Sequence, residues 1–221
     1  MWHRLEIMGR FSAKTMFVLL ALAVAGYAFA FLYLPFQSGN PFAAQFAISG
    51  VDVPLHFFLG GLALALAPLQ LSAALRRRAP ALHRLSGWLY VGCVLIGSIA
   101  GMSLAFHAQG GVPSRVSFVL MALMWPCLTA IGIQRAIVGD IAGHRRWMCR
   151  SVALTYSAVT LRLILGIGAG ALQLPFIPVY IAAAWLGWSI NLVVCEVLLR
   201  WPAIRARHRV LPMAPTNPVA G

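Results

Sequence analysis

Six runs of about 20 mostly apolar residues follow one another along the chain, and they constrain the fold more than any other feature. A helix needs about 20 such residues to cross the roughly 30 Å hydrocarbon core of a bilayer, at about 1.5 Å per residue. Short connections join the runs, and none can hold a soluble domain. The sequence therefore predicts an all-α, multi-pass membrane protein with a bundle of six transmembrane helices. The runs cover residues 15–35, 54–75, 86–108, 114–138, 147–170 and 178–201.

The composition agrees with membrane burial and excludes several other classes. Hydrophobic residues make up 61% of the 221 residues and charged residues only 10%. A soluble protein has about a quarter charged residues. The mean hydropathy of +0.85 indicates a surface that faces an apolar solvent. A soluble domain, a disordered chain and a disulfide scaffold are therefore excluded.

The basic residues alternate between the two sides of the predicted bundle. Four segments rich in arginine fall on one side, whereas the opposite side carries Arg115 alone. The positive-inside rule then places both termini in the cytoplasm. We expect a cytoplasmic tail at 1–14, a transmembrane domain at 15–201 and a second cytoplasmic tail at 202–221. The basic residues on the first side are Arg4, Arg10, Lys14, Arg76, Arg77, Arg78, Arg84, Arg135, Arg145, Arg146, Arg150, Arg200, Arg205, Arg207 and Arg209.

The formal net charge of +13 is therefore a topology signal. It is spread over four segments beside the membrane, which argues against nucleic-acid binding and predicts contact with anionic lipid headgroups at the cytoplasmic face. The first apolar run is longer than the core of a signal peptide and continues past a weak cleavage-like site. We expect it to be retained as a span.

Polar residues inside the spans are the candidates for a functional site, because polar groups in hydrocarbon are costly and usually face the bundle interior. His56 and Gln70 lie 14 residues apart on one face of the second span, with small residues between them. This face indicates either a packing surface with two hydrogen-bonded polar groups or a pocket wall. Arg162 lies deep in the fifth span, and we expect it inside the bundle rather than in lipid.

Further candidates lie on the third, fifth and sixth spans. Cys93, Gly97 and Gly101 form a small-residue face that permits close helix approach. Asn191 lies within the sixth span. Arg150 and Glu196 lie about one turn inside the cytoplasmic ends of antiparallel spans, so we expect a structural ion pair between them.

The motifs resemble a bacterial family of predicted membrane proteins called domain of unknown function 2306. The resemblance covers about residues 50–200, and it implies a multi-pass protein of the bacterial cytoplasmic membrane without supplying a reaction. Its most specific part is His-Arg-Arg-Trp-Met-x-Arg-Ser at 144–151, and His83-Arg84-x-x-Gly87-x-x-Tyr90 also matches. The other matching positions are His56, Gly60, Pro68, Gln70, Arg162, Trp188, Asn191 and Glu196.

Three functions fit these residues, and the sequence does not separate them. The first is a b-type-cytochrome-like redox protein that binds haem b or a quinone, because paired histidines hold haem between helices. Two pairs of histidines are expected at the same depth in the membrane, namely His56 with His107 and His83 with His144. However, His83 and His107 are 24 residues apart, or about 36 Å along a helix, which is too far for an efficient direct relay. The alternatives are a small transporter or carrier, and a non-catalytic scaffold that contacts anionic lipid.

One shared centre is the specific expectation for the site. We expect His56, Gln70, Arg162 and Asn191 to wall it between the second, third, fifth and sixth spans. The positive charge of Arg162 favours an anionic or carbonyl-bearing ligand, such as a quinone or a haem propionate. Hydrolase motifs are absent from the sequence, and Asp52 and Asp140 read as isolated loop acids.

Overall fold

The computed structural model describes residues 2–33 and 50–209, with the side chains of 2–11, 13, 31–33 and 202–209 left out of that description. The described residues form helices and turns without a strand. The elements are α1 (Trp2–Tyr33), α2 (Asp52–Leu71), α3 (Ala73–Arg78), α4 (Pro80–Ala105), α5 (Val112–Ile137), α6 (Ile141–Thr155), α7 (Ser157–Leu165), a π-helical segment (Gly166–Ala171) and α8 (Phe176–Arg209).

Five helices in the described residues are long and apolar enough to cross a membrane. They are α2, α4, α5, the combined segment Ile141–Ala171 and the Phe176–Trp201 part of α8. The all-helical, multi-pass prediction is therefore confirmed at the level of five candidate spans. The first predicted span, 15–35, lies in α1 as far as Tyr33, and its last two residues fall outside the described residues. The apolar part of α1 in the described residues is the shorter segment Lys14–Ala30.

Among the helix boundaries that differ from the sequence prediction, two have clear chemical reasons. The second span does not run to residue 75, because α2 ends at Leu71 and Ser72 adopts an extended conformation. The Ser72 hydroxyl accepts from Leu75 N at 3.2 Å and so caps the short arginine-rich α3. The fifth span begins earlier than residue 147, because Asp140 caps α6 by accepting from Gly143 N at 2.8 Å. Asp140 also lies 3.6 Å from Arg135, so it is not an isolated loop acid.

Small residues allow the central helices to approach closely. Ala63 and Ala67 on α2 are fully buried, and Cys93 on α4 is 2% exposed. A Cβ atom at Gly97 would already touch the Leu59 side chain of α2 at 3.4 Å. The face that the sequence marks as small therefore forms the α2–α4 contact. Close packing of this kind takes the place of the hydrophobic effect, which does not act between helices in lipid.

A network of buried side-chain hydrogen bonds joins α4, α5 and α6. The Tyr90 hydroxyl lies 2.8 Å from Ser151 Oγ and 2.7 Å from Thr155 Oγ1. Thr129 Oγ1 lies 2.7 Å from Ser151 Oγ, and the Trp125 indole donates to Thr155 Oγ1 at 3.1 Å. Each of these groups has partners within the network, which fixes the relative rotation of three helices.

The first helix is attached to the rest of the bundle at two levels. Phe17 stacks on Tyr156 with 3.9 Å between ring centroids, and the Tyr156 hydroxyl donates to Phe17 O at 3.0 Å. Further along α1, beginning one turn after Phe17, Ala21, Ala25 and Ala28 are buried. The small face of α1 therefore packs on the bundle, and Val24, Tyr27 and Ala28 of the same helix line a cavity.

Candidate functional site

A cavity of about 300 Å³ lies at the end of the bundle opposite to the arginine-rich loops. Its walls come from the C-terminal parts of α1 and α4, the N-terminal parts of α2, α5 and α8, and the whole length of α7. Most of the wall is apolar, and five aromatic side chains contribute to it. The aromatic lining residues are Tyr27, Phe57, Phe118, Trp125 and Tyr180.

Arg162 supplies the positive charge of this cavity. Its Nη1 donates to Ala158 O of its own helix at 2.9 Å, and its guanidinium lies 5.3 Å from the Tyr27 ring centroid and 5.7 Å from that of Phe57. Cation–π contacts of this kind hold a guanidinium in an apolar wall. The charge therefore faces the bundle interior, where its neighbours are aromatic.

In the described part of the chain, Arg162 has no carboxylate within ion-pair distance. The whole chain has only four acidic residues. Of the three whose side chains are described, Asp52 accepts from Ser103 Oγ at 2.5 Å, Asp140 lies beside Arg135, and Glu196 lies beside Arg150. A guanidinium carries five N–H donors, so most of those on Arg162 remain available to a ligand.

His56 contributes a hydrogen-bond acceptor to the same cavity. Its Nδ1 lies 2.9 Å from Gly97 O of α4. A carbonyl oxygen can only accept, so Nδ1 carries the proton and Nε2 of the neutral ring has a lone pair. The ring packs on Gly101, where a Cβ atom would lie 2.9 Å from both Nδ1 and Cε1. Glycine at this position therefore makes room for the imidazole.

Ser98 adds a hydroxyl that the sequence analysis missed. It lines the cavity one residue after Gly97, and it is 5% exposed. Its Oγ has no hydrogen-bond partner among the described residues. A buried hydroxyl without a partner is costly, which marks a position where a ligand or water can satisfy it. Its spacing of three residues from Gly101 was the available signal, since both then share one helix face.

The structure places two of the four residues expected to share one wall, Gln70 and Asn191, in other contacts. Gln70 lies about 21 Å along α2 from His56, and its Nε2 donates to Ser86 Oγ at 2.8 Å. Asn191 accepts at Oδ1 from Thr160 Oγ1 at 2.9 Å, while its buried Nδ2 has no partner among the described residues. Neither residue lines the cavity, whose remaining polar wall includes Tyr27 and Ser98 instead.

The histidine pairs considered for haem occupy different surroundings. His107 is exposed beyond α4, with Nδ1 3.2 Å from Ser103 O, and does not line the cavity with His56. His144 Nδ1 lies 2.8 Å from Gly132 O at the opposite end of the bundle. The Nδ1 atom of nearby His83 is buried without a partner in the described chain. No group of three or more His, Cys, Asp or Glu side chains arranged for a metal ion occurs in the described residues.

Arg150 and Glu196 meet at the arginine-rich end, where an ion pair was expected. Arg150 Nε lies 2.5 Å from Glu196 Oε1, and Arg200 Nε lies 3.4 Å from the other carboxylate oxygen. The Trp147 ring covers the Arg150 guanidinium at 4.6 Å. This cluster joins α6 to α8 and lies away from the cavity, which makes it a structural contact.

Comparison with known proteins gives one match. The family model described as predicted membrane protein (DUF2306) matches residues 53–199, which is well over half of the chain. The match runs from the start of α2 into α8 and leaves α1 outside. No curated protein and no solved structure matches the chain.

Proposed function

The chain belongs to this family of predicted membrane proteins, and from that premise we propose that it is a six-span protein of the bacterial cytoplasmic membrane with both termini in the cytoplasm. Segment Lys14–Ala30 of α1 has a length at the lower limit for a span, and α1 itself continues to Tyr33. A sixth span also keeps the arginine-rich segments on one side, where they would contact anionic lipid.

Reporter fusions test this topology directly. Fusions after Arg146 and after Gly110 are expected to report opposite sides of the membrane, and a fusion after Lys14 is expected to report the same side as Arg146. Reports from one side for Arg146 and Gly110 would contradict the alternation. A fusion after Lys14 on the opposite side from Arg146 would contradict the sixth span alone.

For the function, we propose that the cavity binds a quinone, a lipid-soluble ring that carries oxygen acceptors. The observation that carries this proposal is Arg162, a charged donor in an apolar cavity with no carboxylate beside it in the described residues. A guanidinium so placed lacks the partners that it would have in water, and a ligand oxygen can supply one.

The shape and lining of the cavity support a ring-shaped ligand. Its volume of about 300 Å³ lies at the low end of small-molecule sites, so it suits a single head group with the tail left in lipid. Tyr27, Phe57 and Trp125 present aromatic surface to that space. Aromatic rings prefer stacked or edge-on neighbours, which favours a planar head group over a branched one.

Binding of the short-chain quinone ubiquinone-1 to the purified protein in detergent tests the proposal. We expect saturable quenching of tryptophan fluorescence, since Trp125 lines the cavity. Arg162→Leu removes a charge-assisted hydrogen bond and is expected to weaken binding roughly 10- to 100-fold. Arg115→Leu, which alters an exposed arginine outside the cavity, serves as the matched control.

The outcome that contradicts the proposal is equally clear. Quenching that does not saturate, or that is unchanged in a folded Arg162→Leu protein, would show that the cavity does not bind the quinone.

The visible spectrum of the same preparation tests the haem alternative. A Soret band with bis-histidine character would favour haem at the pair formed by His83 and His144, where one buried ring nitrogen has no partner in the described residues.

A further inference from the structure

The polar groups of the cavity differ in what they can offer a ligand, and this difference distinguishes the two redox forms of a quinone. Arg162 can only donate, Ser98 can donate or accept, and the free Nε2 of His56 can only accept. A quinone has two carbonyl oxygens and no donor. A quinol has two hydroxyl groups, each of which can donate and accept.

We infer that the cavity binds the quinol more tightly than the quinone, with His56 Nε2 accepting a hydrogen bond from one ring hydroxyl while Arg162 donates to the oxygen on the other side of the ring. This inference rests on the proposed function, and it adds the redox form and the orientation of the ligand. It requires that His56 keep its acceptor nitrogen toward the cavity.

The packing of His56 fixes which of its two nitrogens is the acceptor, and the residue lines the cavity. The hydrogen bond from Nδ1 to Gly97 O selects one tautomer, and all hydrogen bonds of this side chain in the described residues are accounted for by that contact. Gly101 of α4 makes room for the ring, since any side chain there would collide with it. The backbone of α4 therefore fixes both the proton position and the orientation of the imidazole.

The charge of Arg162 favours the same state of His56. Both side chains line the same apolar cavity. A protonated imidazole would place a second positive charge in that low-dielectric space, which is costly. The ring is therefore expected to stay neutral and to act as an acceptor.

The expected preference follows from one hydrogen bond. A quinol gives a hydroxyl to Nε2, whereas a quinone places a carbonyl oxygen against a nitrogen lone pair and leaves both groups unsatisfied. One such hydrogen bond changes binding by about tenfold. Tighter binding of the quinol by tenfold raises the two-electron midpoint potential of the bound pair by about 30 mV.

Calorimetric titration of the full-length protein with ubiquinone-1 and, under anaerobic conditions, with ubiquinol-1 tests the inference. We expect the dissociation constant of the quinol to be about tenfold lower than that of the quinone. Equal affinities, or tighter binding of the quinone, would overturn the inference and leave the proposed function standing. Absence of binding by both forms would overturn the proposed function as well.

Two variants assign the preference to His56. In His56→Leu, the quinol is expected to lose about tenfold in affinity, whereas the quinone is unaffected, so the ratio falls to about one. Gly101→Ala keeps the imidazole but displaces it, because the new methyl group would lie 2.9 Å from two ring atoms. The ratio is expected to fall there too, and Gly92→Ala on the same helix, with nothing within 4 Å, is expected to keep it. A tenfold preference that survives in folded His56→Leu and Gly101→Ala proteins would refute the role of His56.

Discussion

Replacing Tyr90 with phenylalanine measures the contribution of the buried network to stability. The side chain is fully buried, and phenylalanine fills the same space without the hydroxyl. Two hydrogen bonds disappear, those to Ser151 Oγ at 2.8 Å and to Thr155 Oγ1 at 2.7 Å. Both former partners keep a bond, because Ser151 still meets Thr129 and Thr155 still accepts from the Trp125 indole. No group is orphaned, so we expect a loss of about 1–2 kcal/mol in the free energy of unfolding.

A second substitution tests whether the Ser151 hydroxyl depends on its two hydroxyl partners. Thr129→Val removes the other side-chain partner of Ser151. In the double variant with Tyr90→Phe, the Ser151 hydroxyl is fully buried and has lost both hydroxyl partners found in the described residues. An unsatisfied buried polar group costs about 1–3 kcal/mol, so the double variant is expected to lose at least about 1 kcal/mol more than the sum of the single losses.

Unfolding by sodium dodecyl sulfate in mixed micelles, followed by circular dichroism, gives the free energies. Ser189→Ala is the matched control, because its hydroxyl bonds within the described residues only to Trp185 O of its own helix, at 2.8 Å. That control is expected to change the free energy of unfolding by less than about 0.5 kcal/mol. Additive losses in the double variant, or a Tyr90→Phe loss no larger than the control, would refute the network as a stabilising unit.

Two further predictions concern helix contacts and use the same unfolding assay. Glu196→Gln leaves the half-buried Arg150 without its carboxylate and is expected to lower the free energy of unfolding by about 1–2 kcal/mol. Arg150→Met is expected to lower it less, because Glu196 keeps Arg200 at 3.4 Å. Equal losses for the two variants would contradict this reasoning. Gly168→Ala is expected to cost about 1–3 kcal/mol, since its methyl group would lie 2.7 Å from the stiff Val179 side chain. Gly170→Ala, with nothing within 4 Å, is expected to be neutral, and similar losses for both glycines would argue against the Val179 contact.

The spans were predictable because the length and apolar character of each run depend only on its local composition, which hydropathy measures. The break at Ser72 and the early start at Asp140 were not, since each depends on one capping hydrogen bond. Hydropathy also does not separate a 17-residue apolar stretch in a longer helix from a full span, and Lys14–Ala30 lies at that limit.

The candidate site was predictable in part for a related reason. The periodicity of α2 places His56 and Gln70 on one inward face, but it does not show that α4 fills the space between them. Gln70 therefore donates a hydrogen bond to Ser86, whereas His56 lines the cavity. Tyr27 was missed because its role depends on where α1 docks, and no local pattern in α1 reveals that contact. Arg162 was identified because a lone charge in an apolar run is conspicuous whatever its partners are.

The attachment of α1 to Tyr156 has a consequence for biosynthesis. Phe17 and Tyr156 are 139 residues apart, so at about 5–20 residues per second the ribosome needs roughly 7–28 s to add the later residue after the earlier one. During that interval α2 is the main packing partner of α1 that has already been synthesised. Arg162 and Tyr180 are synthesised later still. The cavity is thus among the last parts of the molecule to close, and a ligand present in the membrane can be enclosed as the final helices insert.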